Sequence, residues 1–105
     1  MLLAADRDPL AGRVAGAPQA CIPVTISDGP TIVDPRTILY RVGARLYRTG
    51  PNGPCPSLRP FATLIVEIHG SRLCSGDRFR TISAGTSIPS GACRFIDFVP
   101  YTKTK

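Results

Sequence analysis

Residues 37–49 read TILYRVGARLYRT, two short runs rich in Ile, Leu, Val, Thr and Tyr that flank Gly43 and Ala44. Runs of this length and composition are typical of β-strands. Glycine at the first central position of a two-residue connection favours a type II′ turn, because that position needs a positive φ. The segment therefore predicts a β-hairpin in which Tyr40 lies opposite Tyr47, a cross-strand contact that contributes about 0.2–1 kcal/mol.

Turn residues divide the rest of the chain in the same way. The 105 residues include 11 prolines and 10 glycines, and the longest segment free of both is 61–69. A helix of average length has no room, whereas strand-sized intervals remain. We therefore predict an all-β fold, a small antiparallel sandwich or barrel of about five or six strands. The expected strands are 21–27, 37–42, 45–49, 61–67, 78–82 and 93–99.

The connections between these strands are also predicted from turn residues. Asp28-Gly29-Pro30 is expected to turn the chain, and the proline-rich segment 49–60 is expected to be a loop. Gly70-Ser71 is typical of a second hairpin turn, which would join a central strand at 61–67 to the segment after it and set Glu67 opposite Cys74.

The N-terminal segment differs in composition from the rest. Residues 1–18 are rich in Ala, Gly and Pro without periodicity, so we predict a flexible arm at 1–18 and a disulfide-linked β domain at 19–105. Asp6 and Arg7 follow directly after residues 1–5, so the apolar stretch is shorter than the roughly 7–15 residues of a signal peptide. We therefore expect no complete signal peptide. No run reaches the roughly 20 apolar residues of a membrane span, and no transmembrane segment is expected.

Four cysteines stand at positions 21, 55, 74 and 93. An even number in a short chain predicts two disulfides and an oxidising compartment. Without a C-x-x-C pair we expect neither a zinc site nor a thioredoxin-like site. We favour Cys55–Cys74, which would anchor the proline-rich loop, and Cys21–Cys93, which would tie the first strand to the last. Bonds from Cys21 to Cys55 or to Cys74 stay open, because sequence does not give Cα separations.

Several short motifs carry a family resemblance. They include LAGRVAG at 10–16, DPRTILY at 34–40, CPSL at 55–58, LCSGD at 73–77 and GAC at 91–93, with CI at 21–22 and FVPY at 98–101. In these motifs and in its four cysteines, the chain resembles the DUF6491-like family of small uncharacterised proteins exported in Gram-negative bacteria. The resemblance implies export through a signal peptide, to the periplasm or the exterior, and it implies no activity.

Candidate catalytic and metal-binding residues are few. His69 is the one histidine, and an enzyme would need it to meet an acid such as Asp77 or Asp97. Asp77 lies in a short turn, where aspartate commonly bonds the backbone. The seven acidic residues are scattered, unlike the clustered oxygens of a calcium site. We therefore expect no catalytic site, cofactor or metal, with a small His69 enzyme as the alternative.

The formal net charge is +6, from 13 basic and 7 acidic residues. This excess favours anionic partners, and an anionic glycan, a lipid or an acidic protein fits an exported domain. We predict a secreted or periplasmic, non-enzymatic binding or cell-envelope-associated module. Basic strands with aromatic residues also occur in OB-like folds that bind single-stranded nucleic acid, and this is the second alternative, which export disfavours. The candidate anionic-ligand face comprises Arg41, Arg45, Tyr47, Arg48, Arg78 and Arg80.

Overall fold

The computed structural model describes residues 10–24, 28–60, 62–68, 70–83, 85 and 88–103. These residues form ten β-strands and no helix, and every pair of neighbouring strands is antiparallel. The all-β prediction is confirmed, although the strands are shorter and more numerous than expected. They are β1 Arg13–Ala15, β2 Cys21–Pro23, β3 Asp28–Asp34, β4 Thr37–Val42, β5 Arg45–Thr49, β6 Thr63–Val66, β7 Arg72–Cys74, β8 Arg78–Ile82, β9 Cys93–Arg94 and β10 Val99–Lys103.

The strands form three sheets. The large sheet has the order β1-β10-β5-β4-β3, the small sheet has the order β6-β8-β9, and β2 pairs with β7 in a two-stranded ribbon. Strand β1 pairs with β10 along its whole length. Residues 13–15 of the segment predicted as a flexible arm therefore form an edge strand of the large sheet.

The hairpin of β4 and β5 confirms the prediction from residues 37–49. Tyr40 lies opposite Tyr47. Gly43 has a φ of 61°, and no non-glycine residue in the described segments has a positive φ, which is the combination that a type II′ turn requires at Gly43 and Ala44. The turn at Gly43 and Ala44 thus determines the register between β4 and β5, two adjacent inner strands of the large sheet.

Replacing Gly43 with valine is expected to lower the melting temperature by several degrees. A β-branched residue in the left-handed region costs about 1–3 kcal/mol, and about 1 kcal/mol shifts the melting temperature of a domain of this size by roughly 4–8 °C. The effect comes from the backbone, because an added Cβ at Gly43 meets nothing within 4 Å. Thermal unfolding followed by circular dichroism measures the shift. Ala44→Val is the matched control with a negative φ, and an equal effect of both variants contradicts the turn assignment.

The second predicted hairpin is wrong. Strand β6 pairs with β8, with Ile65 opposite Arg80, and it lies at an edge of the small sheet rather than at a centre. Strand β7 pairs with β2, so Cys74 lies opposite Cys21 and not opposite Glu67. Alternation of apolar residues specifies the buried face of a strand but not its partner, which is why the error arose.

Two further expected elements differ in the structure. Residues 28–30 do not turn the chain but belong to β3, which reaches Asp28 opposite Arg41 after a register shift. The predicted last strand, 93–99, divides into β9 in the small sheet and the start of β10 in the large sheet. Between them the chain crosses from one sheet to the other, and Phe95 and Phe98 are both buried in that crossing.

The disulfides are Cys21–Cys74, with a Cα separation of 4.0 Å, and Cys55–Cys93, with a Cα separation of 6.3 Å. All four cysteines are therefore bonded, but the favoured connectivity, Cys55–Cys74 with Cys21–Cys93, is wrong. It depended on the second hairpin. Since β7 pairs with β2, Cys74 meets Cys21, while the loop around Cys55 meets β9 instead. Two disulfides indicate an oxidising extracellular or periplasmic environment.

One hydrophobic core joins the three sheets. Aromatic rings form its centre: Phe79 lies 4.5 Å from Phe95 between ring centroids, Phe95 lies 5.8 Å from Phe98, and Phe98 lies 6.4 Å from Tyr40. The series runs from the small sheet to the large one. The other core residues are Ile22, Ile32, Ile38, Tyr47, Cys55, Leu58 and Leu73.

Candidate functional site

The large sheet has one face in the core and one face turned away from it. Successive side chains of a strand point to opposite faces. Tyr40 and Tyr47 are opposite each other and buried, so their neighbours in sequence lie on the other side, which we call the outer face. Arg41 pairs with Leu46, and Arg48 pairs with Leu39. The two arginines are therefore diagonal neighbours on the outer face, about 7–8 Å apart at the backbone.

Strands β1 and β10 add cations to the outer face. Arg13 lies opposite Lys103, and Tyr101 lies opposite Leu46 in the next strand. The Arg13 side chain spans the neighbouring strands, since its Nη1 donates to the carbonyl oxygen of Ala44 at 3.0 Å and to that of Tyr101 at 3.2 Å. These bonds hold the guanidinium against the sheet. The basic outer face thus comprises Arg13, Arg41, Arg48 and Lys103.

A shallow cavity of about 420 Å³ lies on this face. Arg13 and Arg41 line it together with Leu39 and Leu46, and Asp28 contributes a carboxylate beside Arg41. The cavity therefore combines two leucine side chains with two arginines and one carboxylate. Its lining is Arg13, Asp28, Gly29, Thr31, Leu39, Arg41 and Leu46.

A larger cavity of about 570 Å³ adjoins the basic outer face, with Arg48 as the shared residue. We call it the proline groove, because the loop after β5 and the turn before β4 supply four proline rings to its wall. A second arginine, Arg36, lies in that turn, where its backbone N–H donates to Asp34 Oδ1 at 2.8 Å. The lining is Pro35, Arg36, Arg48, Pro51, Gly53, Pro54, Cys55, Pro56 and Ile96.

The wall of the proline groove is tied down at several points. A side chain at Gly50 would overlap the carbonyl oxygen of Arg36, so glycine permits the close approach of the turn to the end of β5. The Asn52 backbone N–H donates to the carbonyl oxygen of Arg94 at 2.7 Å. The Cys55–Cys93 bond fixes the same loop to β9. The groove therefore has a defined shape although its wall is largely loop.

The structure brings together only part of the predicted anionic-ligand face. Arg41 and Arg48 share the outer face, but Arg45 and Tyr47 point to the opposite side of the hairpin, where Tyr47 is 4% exposed. Arg78 and Arg80 belong to β8 in the small sheet. There, Arg78 Nη2 lies 3.4 Å from Glu67 Oε1. Arg13, Arg36 and Lys103 were not predicted from the sequence, because their positions depend on the pairing of β1 with β10 and on the loop structure.

The two acids named for the alternative enzyme lie in a turn and on the surface, respectively. His69 lies outside the described residues. Asp77 Oδ2 accepts a hydrogen bond from the backbone N–H of Cys74 at 2.8 Å, the backbone role that its position in a turn predicts. Asp97 is exposed. Burial raises the pKa of the Tyr40 phenol above its ordinary value, because a phenolate loses its hydration in the core.

Comparison of the chain with protein-family models, curated proteins and solved structures finds no match. The resemblance to the DUF6491-like family therefore stays a prediction. In the part of the chain that the structure describes, three or more metal-ligating side chains nowhere come together, and no helix has the length and apolar composition to cross a membrane.

Proposed function

We propose that the chain is a non-enzymatic binding module, secreted or periplasmic, that holds an anionic glycan of the cell envelope on its basic outer face. The observation that carries the proposal is the arrangement of Arg13, Arg41, Arg48 and Lys103 on one side of the large sheet. Strand β3 adds two carboxylates in register with β4, Asp28 opposite Arg41 and Asp34 opposite Thr37, so cations remain in excess. Such an excess of one sign attracts extended anions and raises their association rate.

The spacing of these cations supports an extended ligand. Arg13 lies directly opposite Lys103, at about 4.5–5.5 Å between Cβ atoms, and Arg41 and Arg48 are diagonal neighbours at about 7–8 Å. A chain of sugars that carries an acid group on successive units meets several cations at such intervals. Tyr101 is half-buried between Ala15 and Leu46 and adds an amphipathic ring to the same surface.

The two disulfides support the location, because cross-linked small domains are typical of oxidising compartments outside the cytoplasm. An arginine-rich sheet face fits a binding module, whereas an enzyme needs a pocket that holds a base and an acid.

Replacing Arg41 and Arg48 together with glutamine is expected to weaken binding to dextran sulfate by about tenfold or more at low salt, because each charged contact contributes about 1.5–3 kcal/mol when it is well formed. Biolayer interferometry across a salt series measures the affinity, and neutral dextran is the ligand control. The matched variant is Arg72→Gln with Arg80→Gln, which removes the same charge from two exposed strand positions outside the large sheet.

Equal weakening by the two double variants contradicts the proposed face, because net charge alone would then explain binding. Vesicles of phosphatidylglycerol and a single-stranded oligothymidylate test the lipid and nucleic-acid alternatives with the same variants. Tighter binding of either one than of dextran sulfate, lost in the Arg41 and Arg48 variant, would assign the face to that ligand instead.

A further inference from the structure

The proline groove differs in chemistry from the basic outer face that it adjoins. Its walls are proline rings together with Ile96, which is 41% exposed, and its two charged residues are both arginines. None of its lining residues is acidic or aromatic. The cavity of about 570 Å³ lies within the usual range of small-molecule sites, about 300–1,000 Å³. The groove is therefore an apolar recess with a cationic rim.

These lining groups share a preference for aromatic rings. A guanidinium stacks on an aromatic face and also pairs with an acid group through its forked donors. Proline rings pack well against aromatic rings, as in the recognition of proline-rich segments by aromatic grooves. The lining supplies prolines and arginines and no aromatic ring, so a ligand that brings an aromatic ring complements both kinds of group. The two arginines add a requirement for negative charge.

We propose that the proline groove binds a small aromatic anion, with its ring on the prolines and Ile96 and its acid group on Arg36 and Arg48. The inference deepens the proposed function, because Arg48 belongs to both the groove and the basic outer face. On an acidic glycan, an aromatic acid substituent would occupy the groove while the sugar chain follows the outer face.

The groove is prepared for this ligand before it binds. Thr49 Oγ1 donates to the carbonyl oxygen of Ile96 at 3.0 Å, and the Ile96 backbone N–H donates to the carbonyl oxygen of Gly50 at 3.0 Å. These bonds hold Ile96 against the end of β5. Together with the Cys55–Cys93 bond they leave little loop entropy to lose on binding, which favours affinity for a small ligand.

The test uses naphthalene-2-sulfonate as the probe and isothermal titration calorimetry as the measurement. We expect it to bind at least about fivefold more tightly than octane-1-sulfonate, which has the charge without the ring, and than naphthalene-2-methanol, which has the ring without the charge. Arg36→Gln is expected to weaken binding about tenfold, and Arg36→Lys about threefold, because lysine keeps the charge but loses the planar stacking surface.

Two controls separate this inference from the proposed function. Arg41 lies outside the groove. We therefore expect Arg41→Gln to weaken dextran sulfate binding without changing the affinity for naphthalene-2-sulfonate. Arg72→Gln is expected to change neither. The two proposals can fail separately. If Arg41→Gln and the Arg41 and Arg48 double variant leave dextran sulfate binding intact, the proposed function is wrong. If Arg36→Gln still weakens the binding of naphthalene-2-sulfonate, the proposal for the groove stands.

The inference is overturned if octane-1-sulfonate binds as tightly as naphthalene-2-sulfonate, or if Arg36→Gln behaves like Arg72→Gln. A measurement on the unaltered protein gives an independent answer. In amide NMR spectra, naphthalene-2-sulfonate is expected to shift the signals of Arg36, Gly53 and Ile96 most strongly. Shifts centred on another surface, or no shifts at millimolar probe, also overturn it.

Discussion

Replacing Cys55 and Cys93 together with alanine is expected to lower the free energy of unfolding by about 4 kcal/mol, according to the loop-entropy relation for the 38-residue separation that the bond closes. This loss is a large fraction of the free energy of unfolding of a typical domain, which is roughly 5–15 kcal/mol. Cys55 is 4% exposed, and the unbridged loop also loses its covalent link to β9. Urea denaturation followed by fluorescence or circular dichroism measures the change.

The other bridge provides the comparison. Replacing Cys21 and Cys74 with alanine is expected to cost a similar free energy, since the bond closes a separation of 53 residues. It ties β2 to β7 and does not border the proline groove. We therefore expect only the Cys55 and Cys93 variant to lose naphthalene-2-sulfonate binding under conditions where both variants are folded. An unchanged denaturation midpoint, or alkylation of four cysteines in unreduced, denatured protein, contradicts the prediction.

Replacing Phe79 with alanine is expected to destabilise the protein by about 3–5 kcal/mol. Phe79 is fully buried, and its ring packs on that of Phe95, the next member of the series that leads to Phe98 and Tyr40. Truncation removes the contact and leaves a cavity at the point where the small sheet meets the large one. Thermal and urea unfolding of the variant measure the loss.

Two matched variants test the cause of that loss. Phe79→Leu keeps much of the buried volume and is expected to cost less than the alanine variant. Ile88→Ala removes a side chain that is 79% exposed and is expected to change stability by no more than about 0.5 kcal/mol. Similar melting temperatures for Phe79→Ala and Ile88→Ala would show that the aromatic series does not stabilise the fold.

The β4–β5 hairpin could be predicted because a local signal defines it. Gly43 and Ala44 form the turn, and the turn alone determines that Tyr40 faces Tyr47. The segment at Gly70 has the same kind of signal, and Gly70 does adopt a positive φ of 78°. The strands on either side nevertheless pair elsewhere, because β7 gains its ladder and its disulfide from β2, a distant strand. A local pattern of turn and apolar residues does not indicate that a distant strand competes for the pairing.

The candidate site was predictable to a similar extent. Arg41 and Arg48 follow from the hairpin, and the alternation within β5 already implies that Tyr47 lies on the face opposite Arg48. Arg13 and Lys103 join them only because β1 pairs with β10, a contact between segments far apart in sequence. The proline groove depends on the loop around Cys55, which a disulfide links to β9. The sequence did not specify which cysteine bonds to Cys55.

The two disulfides are interleaved along the chain, since Cys55 lies within the segment closed by Cys21–Cys74 and Cys93 lies beyond it. Oxidation that follows the order of the cysteines along the chain would join Cys21 to Cys55, which is a non-native pair. A free thiolate must then attack that bond and exchange it, and uncatalysed exchange is slow. We therefore expect an isomerase or a thiol buffer to speed maturation, and we expect a purely oxidising treatment of the reduced chain to trap mispaired forms.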